Sequence, residues 1–233
     1  MRSLVKNIPN FITTGNLVSG LVGIDLAYDG HLAAAALMIV LGNLLDFADG
    51  LVARLLKTSS ELGGELDSLA DLVTFGVLPG VILLKMLYNG PEPMPVTWLV
   101  FLVPVCAAWR LAKFNIDTRQ TDFFLGVPTP LNALVIGSLP LIQQFHPELA
   151  PLIEQPVVLL GIALLLSVLM VVELPLLSFK IKNFGWQENS IRYTFVALSA
   201  LLFVMLQTRA MPLIFALYLL LSGVKYWGRK AGQ

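Results

Sequence analysis

Asp46-Phe47-Ala48-Asp49-Gly50-Leu51-Val52-Ala53-Arg54 closes an apolar run that begins near Leu32, and Gly63, Asp67 and Asp71 lead into a second run that reaches Tyr88. A helix needs about 20 mostly apolar residues to cross the hydrocarbon core, and each run is long enough. The stretch therefore reads as two antiparallel helices joined by a short loop. Asp46 and Asp49 stand three residues apart and share a helix face; Asp67 and Asp71, four apart, do the same. The hairpin can thus aim four carboxylates into one space. Ionisable residues within membrane spans are costly and are functional candidates by default.

The rest of the chain supports a membrane setting. Of its 233 residues 57% are hydrophobic and only 13% charged, about half the charge of an ordinary soluble chain. The mean hydropathy is +0.80. Eight apolar segments lie near 10–28, 32–54, 66–88, 96–114, 130–145, 156–178, 191–207 and 211–228. The expected fold is an all-α, polytopic helical bundle of about eight transmembrane helices, in one domain over 1–233. The fifth and seventh segments are short, which leaves room for six regular helices with less regular additions. Asn89-Gly90-Pro91-Glu92-Pro93 is a turn by composition. Asn10, Thr13, Thr14 and Asn16 interrupt the first run, which argues for a retained span and against a cleaved signal. Balanced charge, 15 basic against 15 acidic residues, gives no reason to expect a nucleic-acid partner. The lone Cys106 excludes an internal disulfide.

Placement of Lys and Arg gives the orientation. With the N-terminus inside, Arg2, Lys6, Arg54, Lys57, Arg110, Lys113, Arg119, Lys180, Lys182, Arg192, Lys225, Arg229 and Lys230 collect on the cytoplasmic side, 13 of 15. Only Lys85 and Arg209 fall opposite. The positive-inside rule then places both termini and the aspartates at the cytoplasmic face of the cell (inner) membrane. Trp98, Trp186 and Trp227 near segment ends suit interfacial anchoring. His31 and His146 map to the outer loops and receive no role.

Four crowded carboxylates repel one another, and two divalent cations would neutralise them charge for charge. An all-oxygen ligand set, with no Cys or His in the motif, suits Mg²⁺ or Mn²⁺. Two-metal sites commonly serve in-line phosphoryl displacement. Gly50, Ala53 and Gly63 lack bulk and let a nucleotide and its pyrophosphate approach the backbone. Arg54 can bind phosphate bidentately. Taken singly, an aspartate at a helix end can be a solvated cap, and small residues can simply allow close helix packing. Eight specified identities at this spacing arise by chance on the order of 10⁻¹⁰ per start position at ordinary residue frequencies.

The stretch from Asp46 to Asp71 resembles, without departure, the pattern D-x2-D-G-x2-A-R-x8-G-x3-D-x3-D of the CDP-alcohol phosphotransferase family. The resemblance implies a six-helix core, usually in a homodimer. It implies Asp46, Asp49 and Asp67 as metal ligands and Asp71 as both ligand and general base. Gly50, Arg54 and Ser60 are implied contacts of the CDP-lipid. Asn10 and Thr13, in Pro9-Asn10-x-x-Thr13, resemble residues that line the family's nucleotide site, although a polar start to a span is also ordinary capping.

Beyond the motif, residues 66–76, 110–115 and 122–130 are similar to the branch of the family whose acceptor is L-serine and whose donor is CDP-diacylglycerol. Relatives that use glycerol phosphate typically place a lysine after the last motif aspartate; here that residue is Leu72. Serine is a zwitterion and needs cationic donors for its carboxylate. Arg110, Lys113 and Asn115 are candidates, in a polar cluster with Arg119 and Asp122 that also reads as a positive-inside anchor. Lys180 and Lys182 read as anchors. Glu173 either pairs with a nearby base or helps the acceptor pocket. The alternatives are another acceptor (glycerol phosphate, inositol phosphate or choline) and, from a different class, a cation transporter. A transporter would carry acidic sites near the midplane on broken or repeated helices, whereas here the aspartates gather at one membrane face.

Overall fold

Leu78-Pro79-Gly80-Val81-Ile82-Leu83-Leu84 is apolar all round, and every one of these residues is buried. A helix without a polar face belongs inside other helices, and this one is the centre of the molecule. The computed structural model describes residues 7–58, 60–88, 95–117, 123–178 and 185–226, apart from the side chains of Gln187 and Glu188. Arg2, Lys6, the turn 89–93, Arg119, Asp122, Lys180, Lys182, Trp227, Arg229 and Lys230 lie outside the described residues.

Among the described residues eight long helices form, one on each expected segment, but five stretches, or up to six, are long and apolar enough to cross a membrane, not eight. The helices are α1 (Ile8–Tyr28), α2 (Leu32–Leu56), α3 (Glu61–Tyr88), α4 (Pro95–Ile116), α5 (Thr129–Phe145), α6 (Pro156–Val171), α7 (Trp186–Leu206) and α8 (Ala210–Tyr226). By length and apolarity α1 to α4 can each cross a membrane, as can the continuous stretch Asn189–Tyr226. That stretch has 38 residues. It would measure about 57 Å if straight, against a core of about 30 Å. It folds back instead: Gln207 takes φ 49° and ψ −122° at the corner, and α7 packs on α8. A sixth candidate span is α6 with the short helical turn Pro147–Ile153 before it, bent by 74°. The protein is a polytopic helical membrane protein.

α1 and α2 pair closely, and α3 packs across both. α4 covers α3 and is covered by α6; α5 lies on α2 and α3; the α7/α8 hairpin leans on α5. α3 is not a uniform helix. Residues Leu72–Val77, directly after Asp71, form a π-helical turn between α-helical halves. Such turns widen the helix and recur at functional sites. Large lipid-facing side chains such as Phe11, Leu44 and Val204 remain exposed, as expected where hydrocarbon replaces water.

Two departures from the sequence expectation occur together. The sixth segment does not continue to residue 178: α6 stops at Val171, and Pro175–Leu177 is a short strand, β2. It pairs antiparallel with β1 (Phe123–Leu125), so the bundle is not purely α. A local cause and a tertiary contact combine here. Pro175 cannot supply a helical N–H, and Gly126 turns the chain at φ +75° beside the end of α6. Its N–H bonds Leu174 O at 3.0 Å, and a Cβ there would lie 2.5 Å from Met170 O. Gly126→Ala therefore combines left-handed strain of about 1–2 kcal/mol with a backbone clash. We expect a lower thermal midpoint in detergent and less folded protein; an unchanged midpoint would contradict this account of the α6 stop.

Candidate metal and nucleotide site

The carboxylates reach one another because the chain reverses sharply after α2. Lys57 closes the helix in the left-handed region at φ 52°, with Lys57 N bonding Arg54 O at 3.3 Å and Thr58 N bonding Ala53 O at 3.0 Å. This two-bond closure satisfies the last carbonyls of α2. Ser60 then caps α3, its hydroxyl accepting from Gly63 N at 3.1 Å. Asp49 and Asp46 hang from the last turns of α2, and Asp67 stands two turns into α3.

Asp46, Asp49 and Asp67 converge, each offering an oxygen within 4.8 Å of the other two. Asp49 is buried, the other two half-buried. At about 5 Å and an effective dielectric of 20, two unit charges repel by about 3 kcal/mol, so the trio calls for a cation. One oxygen of Asp67 is buried and has no hydrogen-bond partner among the described residues. An orphaned carboxylate oxygen inside a carboxylate cluster is what a hard divalent ion would satisfy, and these residues fit one. Asp71 stands outside that trio, one turn deeper along α3 and 8% exposed. Asp46, Asp67 and Asp49 all lie within Coulombic range of it.

A cavity of about 210 Å³ opens beside the trio, lined by Asn10, Thr13, Asp49, Gly50, Ala53, Ser60, Gly63 and Asp67, with Pro9, Thr58 and Gly64. Six of the seven residues expected to contact the CDP-lipid therefore line one space. At Gly50 a Cβ would meet no neighbouring atom within 4 Å, so any side chain would project into open space. Gly63 is different: a Cβ would sit 3.0 Å from Asn10 Oδ1 and 3.1 Å from Ser60 Oγ. Arg54, the seventh, is exposed and folds along its own helix, Nε donating to Gly50 O at 2.9 Å. Thr13 does more than line the wall, since its hydroxyl lies 2.5 Å from Asp49 Oδ2 and 3.0 Å from Pro9 O.

The expected acceptor residues divide. Arg110 and Lys113 line a second cavity of about 740 Å³ with Phe114, Leu125, Met170 and Glu173. Lys113 Nζ pairs with Glu173 at 2.5 Å. Arg110 lies within Coulombic range of Asp71 and Tyr218, and its buried Nε has no hydrogen-bond partner among the described residues. Asn115 does not line this cavity. Two residues past Lys113, about 200° around the helix, its amide donates to Ser68 Oγ at 2.9 Å and ties α4 to α3.

A model of the CDP-alcohol phosphatidyltransferase family matches residues 6–177. The chain belongs to that family. The match ends at the last residue of β2 and contains α1 to α6, the expected six-helix core; α7 and α8 follow it. The chain is also similar to proteins named CDP-diacylglycerol–serine O-phosphatidyltransferase. The Mycobacterium leprae protein is 41% identical over 147 residues, 59% of this chain and 48% of that protein. The Bacillus subtilis protein is 39% identical over 130 residues, 55% of this chain and 72% of the other. The Helicobacter pylori protein is 36% identical over 176 residues, 74% and 72% of the two. Thus the chain covers about half the length of the mycobacterial relative.

Sequence reasoning passed over Asn16, treating it as a polar break in an apolar run. It is fully buried and its Nδ2 donates to Asp71 Oδ1 at 3.0 Å. The available signal was its place three residues after Thr13, on the same face of α1. If the trio holds a cation, Asp49→Asn should weaken Mn²⁺ binding at least tenfold, read by electron paramagnetic resonance of free Mn²⁺ with the protein in detergent. Unchanged binding would remove Asp49 from the ligand set.

Proposed function

We propose that this chain transfers the phosphatidyl group of CDP-diacylglycerol to L-serine, giving phosphatidylserine and CMP. The observation that carries the reading is the convergence of Asp46, Asp49 and Asp67 beside a cavity walled by small residues, with Asp71 one turn away. The names of the relatives support serine as acceptor and CDP-diacylglycerol as donor.

Asp46, Asp49 and Asp67, joined by Asp71, would hold two ions, Mg²⁺ or Mn²⁺. When bound, such ions supply positive charge to the attacking and leaving oxygens of an in-line displacement. Gly50, Ala53 and Gly63 give the nucleotide a close approach to the backbone; Asn10, Thr13 and Ser60 offer polar contacts from the wall; Arg54 meets phosphate at the rim. Asp71 accepts the proton of the serine hydroxyl, whose oxygen bonds to the lipid-linked phosphorus as the bond to CMP breaks. A carboxylate is a weak base toward an alcohol, and positive charge from ions held by the neighbouring aspartates would ease the loss of that proton. Arg110 and Lys113 would hold the serine carboxylate. The Glu173 carboxylate, beside Lys113 in the same cavity, would accept from the ammonium, and Asn115 fixes the distance between α4 and α3.

The acyl chains would remain among the exposed apolar helix faces, so the donor enters from the bilayer. Arg54, Lys57, Arg110, Lys113, Arg192 and Lys225 gather at the aspartate end, while Lys85 and Arg209 lie at the other. This supports an active site at the cytoplasmic face of the inner membrane. We further take residues 1–233 as a single domain that works as a homodimer.

The deciding assay supplies CDP-diacylglycerol and Mg²⁺ or Mn²⁺ with serine, glycerol 3-phosphate, inositol phosphate or choline in turn. Serine-dependent release of CMP with matching lipid product is expected. Preference for another alcohol would overturn the acceptor, and no CMP with any of them would overturn the reaction class. Asp71→Asn should lower the serine rate by about 10²-fold or more; a rate near wild type would remove Asp71 as base.

A further inference from the structure

Asn16 lies on the buried face of α1, and its side chain is fully enclosed by α2 and α3. A buried carboxamide is expensive to leave unpaired, at about 1–3 kcal/mol per unsatisfied group. Here only one end is used. Nδ2 donates to Asp71 Oδ1 at 3.0 Å, while Oδ1 has no partner among the described residues. The amide is turned to give its donor to the carboxylate, which accepts but cannot donate when ionised.

The surroundings hold it in that turn. Thr74 Oγ1, three residues beyond Asp71 in the π-helical turn, donates to Asn16 O at 2.9 Å, and Ser19 Oγ donates to the same carbonyl at 2.7 Å. On the α2 side there is no room for anything else: a Cβ on Gly42 would lie 2.8 Å from Asn16 Oδ1. One turn earlier on α1, Thr13 addresses Asp49 in the metal trio. α1 thus contacts one carboxylate from each arm of the hairpin, and it does so with different groups.

We propose that Asn16 is a positioning residue for the reaction: by occupying one oxygen of Asp71 it fixes that carboxylate one turn from the Asp46–Asp49–Asp67 trio and leaves the other oxygen for the acceptor hydroxyl. The proposal rests on the reading of Asp71 as the base. Asn16 itself touches neither donor nor acceptor.

The test compares Asn16→Ala and Asn16→Asp with wild type in detergent, measuring serine-dependent CMP release and Mn²⁺ affinity. Asn16→Asp keeps the size of the side chain and has no N–H to give, so it decides the question if Asn16→Ala fails to fold. Both variants should lose tenfold or more in kcat with KM for CDP-diacylglycerol within about threefold. Asn16→Ala should keep its Mn²⁺ affinity within about twofold, a separation that a general packing defect would not give. Ser19→Ala, which removes a bond to the same carbonyl, should leave kcat within about twofold. A kcat near wild type in both Asn16 variants overturns the proposal, as does a parallel loss of kcat, KM and Mn²⁺ affinity. If the wild-type chain releases no CMP with any of the four alcohols, the functional reading itself falls. Wild-type activity with intact Asn16 variants overturns only the role of Asn16.

Discussion

Mutual repulsion among carboxylates gathered at the end of a helical bundle governs the rest of this structure. Three of them offer oxygens within 4.8 Å of one another, and a fourth stands a turn away. Water cannot screen them as it would on a soluble surface, because Asp49 and Asp71 are buried. Such an arrangement persists only if the backbone over-determines it and a cation neutralises it. The left-handed closure of α2 at Lys57, the Ser60 cap on α3 and the burial of Leu78–Leu84 in its second half provide the first condition. The trio, with an Asp67 oxygen that has no partner among the described residues, could hold such a cation.

Helix association in a bilayer cannot draw on the hydrophobic effect, since lipid tails are as apolar as leucine. Close backbone approach and buried hydrogen bonds take its place. Around Thr74 three helices meet, and this is possible because Gly20 and Gly42 carry no side chain there. The same contact puts Asn16 against Asp71. Packing and chemistry are therefore one feature at this point: what lets α1 approach α3 is also what brings an amide to the fourth aspartate.

The second cavity has another character. Apolar walls from Phe114, Leu125 and Met170 surround a few charged groups, and Lys113 is already paired with Glu173. The strand pair β1–β2 and the turn at Gly126 close this region, and they join the end of the family's six-helix core to the α7/α8 hairpin that follows.

Much of this was legible in the linear sequence. Apolar run length located all eight helices, because crossing or lining hydrocarbon demands about 20 such residues whatever the neighbours are. The spacing of Asp46, Asp49, Asp67 and Asp71 announced a shared face, because helical periodicity is a local property. Other features were decided by tertiary contact alone. Asn16 looked like a flaw in an apolar run until Asp71, 55 residues away, came within 3.0 Å. Arg110 and Asn115 looked alike as polar residues near a helix end, yet one faces a cavity and the other faces Ser68. The stop of α6 at Val171 depends on a strand partner about 50 residues earlier in the chain. The four aspartates could be found from sequence because their chemistry needs them at fixed local spacing; what sets Asp49 and Asp71 apart depends on the α1 side chain each meets, Thr13 for one and Asn16 for the other.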